Sequence, residues 1–225
     1  MPLTIAIDGP VGAGKSTISD AVADRLGILH LDTGAMYRAV GLAAMESGID
    51  PRSEDAVCRL CEAGKAQVSV RYVDGHQITL LNGRDVSQLI RTPDASSAAS
   101  AVSRYQAVRK MMVRRQREIA GEQSILLDGR DIGTVVLPHA TVKIFLTATP
   151  EARAARRMAQ LREKGDQTPF EEVLAAVNAR DHQDTTREID PLRQAEDAVL
   201  VDSSHLSFDE TVDAILAIVE ASHDR

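Results

Sequence analysis

The sequence predicts an α/β fold built around a doubly wound parallel β-sheet. Two short apolar runs near its start, TIAID (4–8) and ILHLD (28–32), indicate buried strands. Between them, a glycine-rich turn leads directly into a helical pattern. A strand, a loop, a helix and a second strand in this order form the βαβ unit from which parallel sheets are built.

The next two elements are helices. The first is expected to begin at about Lys15 and to end at Gly27, because glycine readily adopts the left-handed conformation that ends helices. Thr33 is expected to cap a second helix over residues 34–47, which Gly48 ends.

Residues 64–93 depart from the α/β pattern. They alternate apolar and polar residues and carry two turn signals, Asp74-Gly75 and Asn82-Gly83. This pattern predicts a small antiparallel β-meander. We interpret it as an insertion on a mobile lobe.

The remainder of the chain returns to alternating helices and strands. Helical patterns cover about 94–119, 150–164 and 169–186, and the apolar runs SILLD (124–128), TVKIFLTA (141–148) and AVLVDSS (198–204) indicate further strands. Ser207 and Glu210 have the spacing of a capping box for a closing helix. We therefore expect a single domain over residues 1–225.

Composition excludes some classes of function. The formal net charge of −7 and the aromatic content of 3% argue against a nucleic-acid partner. No apolar run approaches the roughly 18 residues of a membrane span, and the N-terminus lacks the basic start of a signal peptide, so a cytoplasmic location is expected. Two basic stretches, 104–117 and 153–164, suggest local anion sites, although a solvated helix face would show the same pattern.

The two cysteines, Cys58 and Cys61, form a lone C-x-x-C. Without a second pair or neighbouring histidines they offer too few ligands for zinc. We interpret them as small apolar residues on a helix.

A phosphate-binding loop follows the first strand. Gly9, Gly14, Lys15 and Ser16 match G-x-x-x-x-G-K-S/T, in the strand–loop–helix context that the mechanism requires. Lys15 is expected to bridge the β- and γ-phosphates of ATP or GTP, and the Ser16 hydroxyl to ligate Mg²⁺. The nucleotide-binding segment comprises Gly9, Pro10, Val11, Gly12, Ala13, Gly14, Lys15, Ser16 and Thr17.

The chain length and missing motifs narrow the class of nucleotide-binding protein. The N-K-x-D segment with which GTPases read guanine is absent from the sequence, and motors and helicases are normally longer. A kinase for a small molecule fits best.

Charged residues after the predicted strands point to an acceptor site, because α/β sheets bind ligands at the carboxyl ends of their strands. The second strand ends in LDTGAMYR (31–38), and this segment would meet the acceptor beside the phosphate loop. Alternatively, Asp32 and Thr33 only cap a helix, and Tyr37 and Arg38 face solvent. LDGRDIGT (127–134) gathers Asp128, Arg130 and Asp131. In NARDHQDTTR (178–187), the spacing of Arg180, Asp184 and Arg187 places all three side chains on one face of a helix. A row of ion pairs on the protein surface would show the same spacing.

Together, IDGPVGAGKST, LDTGAMYR, LDGRDIGTVVLP and ARDHQDTTR resemble the bacterial cytidylate kinase family of P-loop nucleoside monophosphate kinases, over nearly the whole chain. The resemblance implies a lobe that binds the nucleoside monophosphate (about 34–100), containing the β insertion (about 64–93), and a helical lid (about 153–168). It also implies transfer of the ATP γ-phosphoryl group to CMP or dCMP by a monomer with Mg²⁺.

The resemblance implies roles for individual residues. Arg38, Arg109, Arg130 and Arg187 would lie near the acceptor phosphate or base. Asp131 and Thr33 would read the base, and Tyr37 would pack nearby. Three residues, Ser100, Arg180 and Asp184, would contact the sugar. The lid arginines Arg153, Arg156 and Arg157 would approach the transferred phosphoryl group.

The expected chemistry needs no general base, because a phosphate monoester has a second pKa near 6 and is mostly ionised at pH 7. Cytosine offers an amino donor to a carboxylate, whereas uracil offers an oxygen. One such mismatch is worth roughly 1–3 kcal/mol, so UMP should be a poorer acceptor. Two alternatives remain. One is another small-molecule P-loop kinase, acting on AMP, UMP, dTMP or a metabolite hydroxyl, and for a hydroxyl acceptor Asp32 or Asp131 could serve as the base. The other is a non-catalytic nucleotide switch.

Overall fold

The computed structural model describes residues 2–121, 123–163 and 165–223. Its strands are β1 (Thr4–Asp8), β2 (Leu29–Asp32), β3 (Val68–Val73), β4 (His76–Leu81), β5 (Arg84–Asp85), β6 (Ile125–Gly129), β7 (Val142–Thr147) and β8 (Val199–Asp202). Its helices are α1 (Lys15–Leu26), α2 (Thr33–Glu46), α3 (Glu54–Glu62), α4 (Pro93–Val102), α5 (Gln106–Ala120), α6 (Pro150–Glu163), α7 (Phe170–Thr186) and α8 (Phe208–His223). A π-helical turn, Ile132–Val136, follows β6.

These strands form two separate sheets. Within the described ranges, the larger sheet has the strand order β2-β6-β1-β7-β8 and the smaller one the order β3-β4-β5. β7 is parallel to both β1 and β8, whereas β4 is antiparallel to both β3 and β5. The predicted α/β fold with a parallel sheet and a small antiparallel β insertion is confirmed. No helix within the described ranges is long and apolar enough to cross a membrane.

The chain is organised as two compact units, residues 3–27 with 126–225 and residues 28–125. In the first unit, Ile5, Ala6 and Ile7 of β1 are completely buried, as expected for a strand inside a parallel sheet. The register pairs Asp8 with Phe145 of β7. The carboxyl end of β1, from which the phosphate loop leaves, is thereby fixed.

The start of α2, in the second unit, corrects one prediction. Asp32, not Thr33, caps this helix, because its carboxylate accepts a hydrogen bond from the backbone N–H of Ala35 at 2.9 Å. Thr33 is already the first helical residue. Gly48 follows the helix with φ of 68°, which agrees with the predicted stop.

The predicted turns of the small sheet are confirmed by the backbone. Val73 pairs with His76, so Asp74 and Gly75 form a two-residue hairpin loop. Both loop residues have positive φ, 50° and 82°, which is the conformation that Asp-Gly turns favour.

The two cysteines lie on α3, and neither forms a disulfide. Burial, together with the neighbouring Cys58 and Glu62, raises the pKa of the Cys61 thiol to about 11. The pKa of Cys58 is also raised, chiefly by burial. Both are therefore neutral thiols at pH 7, and the thiol form is a poor nucleophile and metal ligand.

Helices α2 and α4 pack closely in the second unit. A Cβ added at Gly41 would lie 2.7 Å from the Cβ of Ala98 and 3.1 Å from the backbone of Ala98 and Ala99. Such overlap cannot be relieved by rotating a side chain, since the contacts are with backbone atoms and a methyl group. Glycine at position 41 therefore allows α2 and α4 to lie this close together.

Gly41→Ala is expected to lower the free energy of unfolding by about 1–3 kcal/mol, as overpacking of a well-packed interior does. The measurement is urea unfolding followed by circular dichroism. Gly121→Ala is the control, because its new Cβ would meet two carbonyl oxygens, of Arg117 at 3.3 Å and of Glu118 at 3.9 Å, and no methyl group. Equal stability of Gly41→Ala and the wild type would contradict the close packing described.

Candidate active site

The phosphate loop is held in a conformation that glycine permits. A Cβ at Gly9 would lie 1.9 Å from the carbonyl oxygen of Leu146, so no other residue fits against β7 there. Gly12 and Gly14 have φ of 76° and 87°. Because Gly14 adopts the left-handed conformation just before Lys15, helix α1 begins directly at the loop. The N-terminus of a helix, with its backbone N–H groups, is a ready site for an anion.

Lys15 is buried at the base of this loop. Its ammonium group donates hydrogen bonds to the carbonyl oxygens of Gly9 and Pro10, at 2.8 and 2.7 Å. The pKa of Lys15 is lowered to about 7, chiefly by burial and next by the positive charge of Arg130. A bound polyphosphate would supply the negative charge that favours the protonated form.

Ser16 and Asp128 place two oxygens side by side. The Ser16 hydroxyl donates a hydrogen bond to Oδ2 of Asp128 at 2.7 Å, and Asp128 is buried at the end of β6. A hydroxyl and a carboxylate suit Mg²⁺, which commonly takes few protein ligands and completes its shell with water and phosphate oxygens. The described part of the chain contains no cluster of three or more acidic, histidine or cysteine side chains that could hold a metal ion.

An ion-pair network follows β6. Nε of Arg130 donates to Oδ2 of Asp184 at 2.8 Å, and Nε of Arg180 donates to Oδ1 at 3.1 Å. Burial alone would raise the pKa of the Asp184 carboxyl, but the charges of Arg130 and Arg180 outweigh it and hold the pKa below its usual range. Asp184 is therefore ionised at neutral pH, and it fixes the direction of two guanidinium groups.

Asp131 and Arg187 form a second, more deeply buried pair. Nη2 of Arg187 lies 3.4 Å from Oδ1 of Asp131, and the two side chains are 5% and 8% exposed. Helix α7 ends at Thr186, and Arg187 has an extended backbone with ψ of 141°. The prediction that Arg187 shares a helical face with Arg180 and Asp184 is therefore wrong, since the chain leaves the helix one residue too early.

The three predicted lid arginines have different surroundings. Arg153 is buried and donates to the carbonyl oxygens of Ala148 and Val11, at 2.8 and 3.0 Å. It also makes a bidentate pair with Asp181, at 2.9 and 2.6 Å. Arg156 donates to the carbonyl oxygen of Ser203, whereas the exposed Arg157 donates to the side chain of Gln160 at 3.5 Å. Their approach to a transferred phosphoryl group remains a prediction.

The second unit carries the other predicted acceptor residues. Asp32 pairs with Arg38 at 2.6 Å, so the carboxylate that caps α2 also orients this arginine. Tyr37 is 9% exposed and does not face solvent. The Arg109 guanidinium lies 5.9 Å from the centre of the Tyr37 ring, a cation–π distance.

Thr33 and Ser100 are also buried, at 4% and 8% exposure. Thr33 is the first residue of α2, and Ser100 lies in α4.

Two acidic residues were not among the predicted site residues. Asp8 accepts hydrogen bonds from the backbone N–H groups of Ile132 and Gly133, and Asp181 holds Arg153. A carboxylate that directly precedes Gly9 is the signal that would have pointed to Asp8.

Comparisons with known proteins identify the family of the chain. A family model described as cytidylate kinase matches residues 5–221. A curated cytidylate kinase from Carboxydothermus hydrogenoformans is 48% identical over 222 residues, which cover 99% of this chain and 99% of that protein. The cytidylate kinase of Caldicellulosiruptor bescii is 46% identical over 216 residues, which cover 96% and 95%.

Among solved structures, a shikimate kinase from Bacteroides thetaiotaomicron matches with a TM-score of 0.50 at 13% identity, covering 97% of this chain and 98% of that one. This likeness concerns the fold alone. The fold and the phosphate loop define a P-loop kinase. Within that class, the chain belongs to the cytidylate kinase family.

Asp181→Asn is expected to destabilise the first unit by about 2–3 kcal/mol, because charged hydrogen bonds to the buried Arg153 are lost. Urea unfolding measures the loss. The control is Asp213→Asn, which removes an exposed partner of Arg25 with 66% side-chain exposure and should cause a much smaller change. Equal losses in the two variants would show that the Arg153 contacts do not stabilise the fold.

Proposed function

We propose that this protein transfers the γ-phosphoryl group of ATP to CMP or dCMP, giving CDP or dCDP in pyrimidine nucleotide metabolism, with UMP a poorer acceptor. The observation that carries the proposal lies at the ends of two neighbouring strands of the first unit, β1 and β6. Lys15 and Ser16 begin the helix that follows β1, and Ser16 donates a hydrogen bond to Asp128 near the end of β6. Arg130, which follows β6, pairs with Asp184 of α7. Full-length likeness to curated cytidylate kinases supports the same acceptor.

The donor half of the mechanism belongs to the phosphate loop. Backbone N–H groups of the loop residues 9–17, other than Pro10, surround the phosphates of ATP, and Lys15 binds the β- and γ-phosphates. Ser16 and Asp128 hold Mg²⁺, directly or through water. When bound, the metal neutralises the charge that develops on the transferred group and its leaving oxygen.

The acceptor half needs positioning rather than a base. The CMP phosphate is mostly ionised at pH 7, so its own oxygen is the nucleophile. Arg130 binds that phosphate, since guanidinium groups match its geometry and stay charged. Arg38, Arg109 and Arg187 complete the set of cations around the acceptor.

The cytosine edge is read by Asp131. An ionised carboxylate accepts a hydrogen bond from the amino group of cytosine and is mismatched to the O4 of uracil. Arg109 and Arg187 donate to the ring acceptors, and the Thr33 hydroxyl assists. The sugar is held by Ser100, Arg180 and Asp184, with Tyr37 packed nearby.

The proposal also covers closure of the lid, the oligomeric state and the cellular location. Residues of about 34–100 form the monophosphate-binding lobe, and residues of about 153–168 form a lid. Its arginines Arg153, Arg156 and Arg157 approach the transferred group on closure and exclude water, which would otherwise compete as the acceptor. The active form is a cytoplasmic monomer that binds no nucleic acid or membrane.

The test is a coupled assay of ADP release from Mg·ATP, with CMP, dCMP, UMP and AMP each supplied as acceptor. We expect fast turnover with CMP and dCMP, slow turnover with UMP and negligible turnover with AMP. If ATP binds but none of the four is phosphorylated, the phosphate loop stands and the acceptor proposal fails. A kinase with a hydroxyl acceptor or a non-catalytic switch would give that outcome.

Asp131→Asn is expected to lower the ratio of kcat/KM for CMP to that for UMP by a factor between about 5 and about 150. The reason is that an amide can donate to the O4 of uracil, and the free-energy difference of one mismatch is about 1–3 kcal/mol. Steady-state kinetics with both nucleotides measure the ratio. The exposed Asp213→Asn serves as the control. An unchanged ratio would mean that the base is read elsewhere.

Binding of Mg·ATP at pH 8 is expected to take up close to one proton. In the free protein Lys15 has a pKa of about 7 and is mostly neutral at that pH, and bound phosphates favour its charged form. Calorimetric titrations in two buffers of different ionisation enthalpy measure the uptake. Lys15→Ala should bind with no uptake, and proton release by the wild type would contradict the assigned contact.

A further inference from the structure

We propose that Asp8 is a positioning residue for the acceptor: by holding the backbone that follows Arg130 and Asp131, it sets the selectivity for cytosine over uracil. The inference rests on the proposed reading of the base by Asp131. It assigns to Asp8, at the end of β1, a role in the acceptor site in addition to its place beside the phosphate loop.

The contacts of Asp8 are specific and buried. The residue is 4% exposed. Its Oδ1 accepts a hydrogen bond from the backbone N–H of Ile132 at 2.8 Å, and its Oδ2 accepts one from Gly133 at 2.7 Å. One carboxylate thus satisfies two neighbouring donors, 124 and 125 residues away along the chain.

These two donors belong to the first residues of the π-helical turn Ile132–Val136. The first N–H groups of a helical segment have no partner within it and need an outside acceptor. The preceding residue, Asp131, makes no capping hydrogen bond with its side chain. Because Asp8 supplies the acceptors instead, the carboxylate of Asp131 is directed to Arg187 and the base site rather than to the turn.

The packing around Gly133 keeps this backbone in place. A Cβ at Gly133 would lie 3.2 Å from Cδ of Lys143 and 3.5 Å from Oδ2 of Asp8. The φ of Gly133 is not among the positive values. Glycine is therefore favoured there by close approach and not by a left-handed backbone. An added methyl group would press on the side chain of Lys143 and would be in ordinary van der Waals contact with Asp8.

A carboxylate suits this position better than an amide does. Both oxygens of Asp8 face N–H donors, whereas asparagine has a single oxygen and would turn its NH₂ group toward one of them. The pKa of Asp8 is raised to about 6, chiefly by burial, while the two backbone hydrogen bonds act in the opposite direction. Lys15 also favours the charged form and Asp131 opposes it. At pH 7.5 the carboxyl group of Asp8 is therefore mostly ionised.

Asp8 also links the two halves of the reaction. It is followed directly by Gly9, whose close contact with Leu146 fixes the start of the phosphate loop. The same residue therefore holds the strand end that presents the donor loop and the turn that presents the acceptor carboxylate. A change at Asp8 is expected to disturb the orientation of Asp131 while the glycine contact remains.

The experiment compares Asp8→Asn with the wild type in steady-state assays with CMP and UMP at pH 7.5, and thermal unfolding checks that the variant is folded. The expected result is a fall of about five- to tenfold in the CMP:UMP ratio of kcat/KM, with a higher KM for CMP. Asp181→Asn is the matched control. It disturbs Arg153 and the phosphate loop, so it should raise the KM for ATP and leave the ratio unchanged.

The outcomes separate the inference from the proposed function. If Asp131→Asn lowers the CMP:UMP ratio and folded Asp8→Asn does not, the inference is wrong and the proposed function stands. If the wild type shows no preference for CMP, the proposed function fails and the inference falls with it. Should Asp8→Asn fail to fold, Asp8→Glu keeps the charge but displaces both hydrogen-bond acceptors by one methylene group. A lower ratio in that variant supports the role of Asp8, and an unchanged ratio overturns it.

Discussion

The structure of the first unit depends on the mutual compensation of charges buried at the carboxyl ends of β1 and β6. Lys15, Asp128, Arg130 and Asp184 are all removed from most solvent there, and each isolated charge would carry a large desolvation penalty. Opposite charges offset that penalty for Asp184, whose pKa is held below its usual range, but only in part for Lys15, whose pKa is lowered to about 7. Because each partner restricts the other, the guanidinium and ammonium groups have defined directions before any ligand arrives.

This preorganisation suits phosphoryl transfer. The transition state spreads charge over the oxygens of the transferred group, and catalysis consists mainly of positioning and electrostatic stabilisation. Groups already held in a water-poor site need little reorganisation when the charge develops. The lowered pKa of Lys15 is consistent with this view, since a site that disfavours a lone cation gains most from binding an anion.

Local sequence features predicted much of the fold. TIAID forms the expected strand, Asp74-Gly75 the expected hairpin loop, and Ser207 with Glu210 the expected capping box, with hydrogen bonds of 2.8 and 3.3 Å. These features depend on backbone preferences within a few residues. The phosphate loop was predictable for the same reason, since its glycines and lysine are contiguous.

The features that sequence patterns did not predict involve competition or distance. Asp32 and Thr33 are both residue types that cap helices. The structure shows that Asp32 is the cap, because it accepts a hydrogen bond from the backbone N–H of Ala35. Arg187 continues the helical spacing in the sequence but lies beyond the end of α7. The contact from Asp8 to Ile132 joins residues far apart in the chain, which no local pattern reveals.

The most direct test of the account is a crystal structure of the protein with CMP and a non-hydrolysable analogue of Mg·ATP. In that complex we expect the amino group of cytosine to lie within hydrogen-bonding distance of Asp131. We expect the CMP phosphate to bind Arg130 and the metal to lie beside Ser16. A complex in which cytosine lies away from Asp131, with that carboxylate still paired only to Arg187, would contradict it.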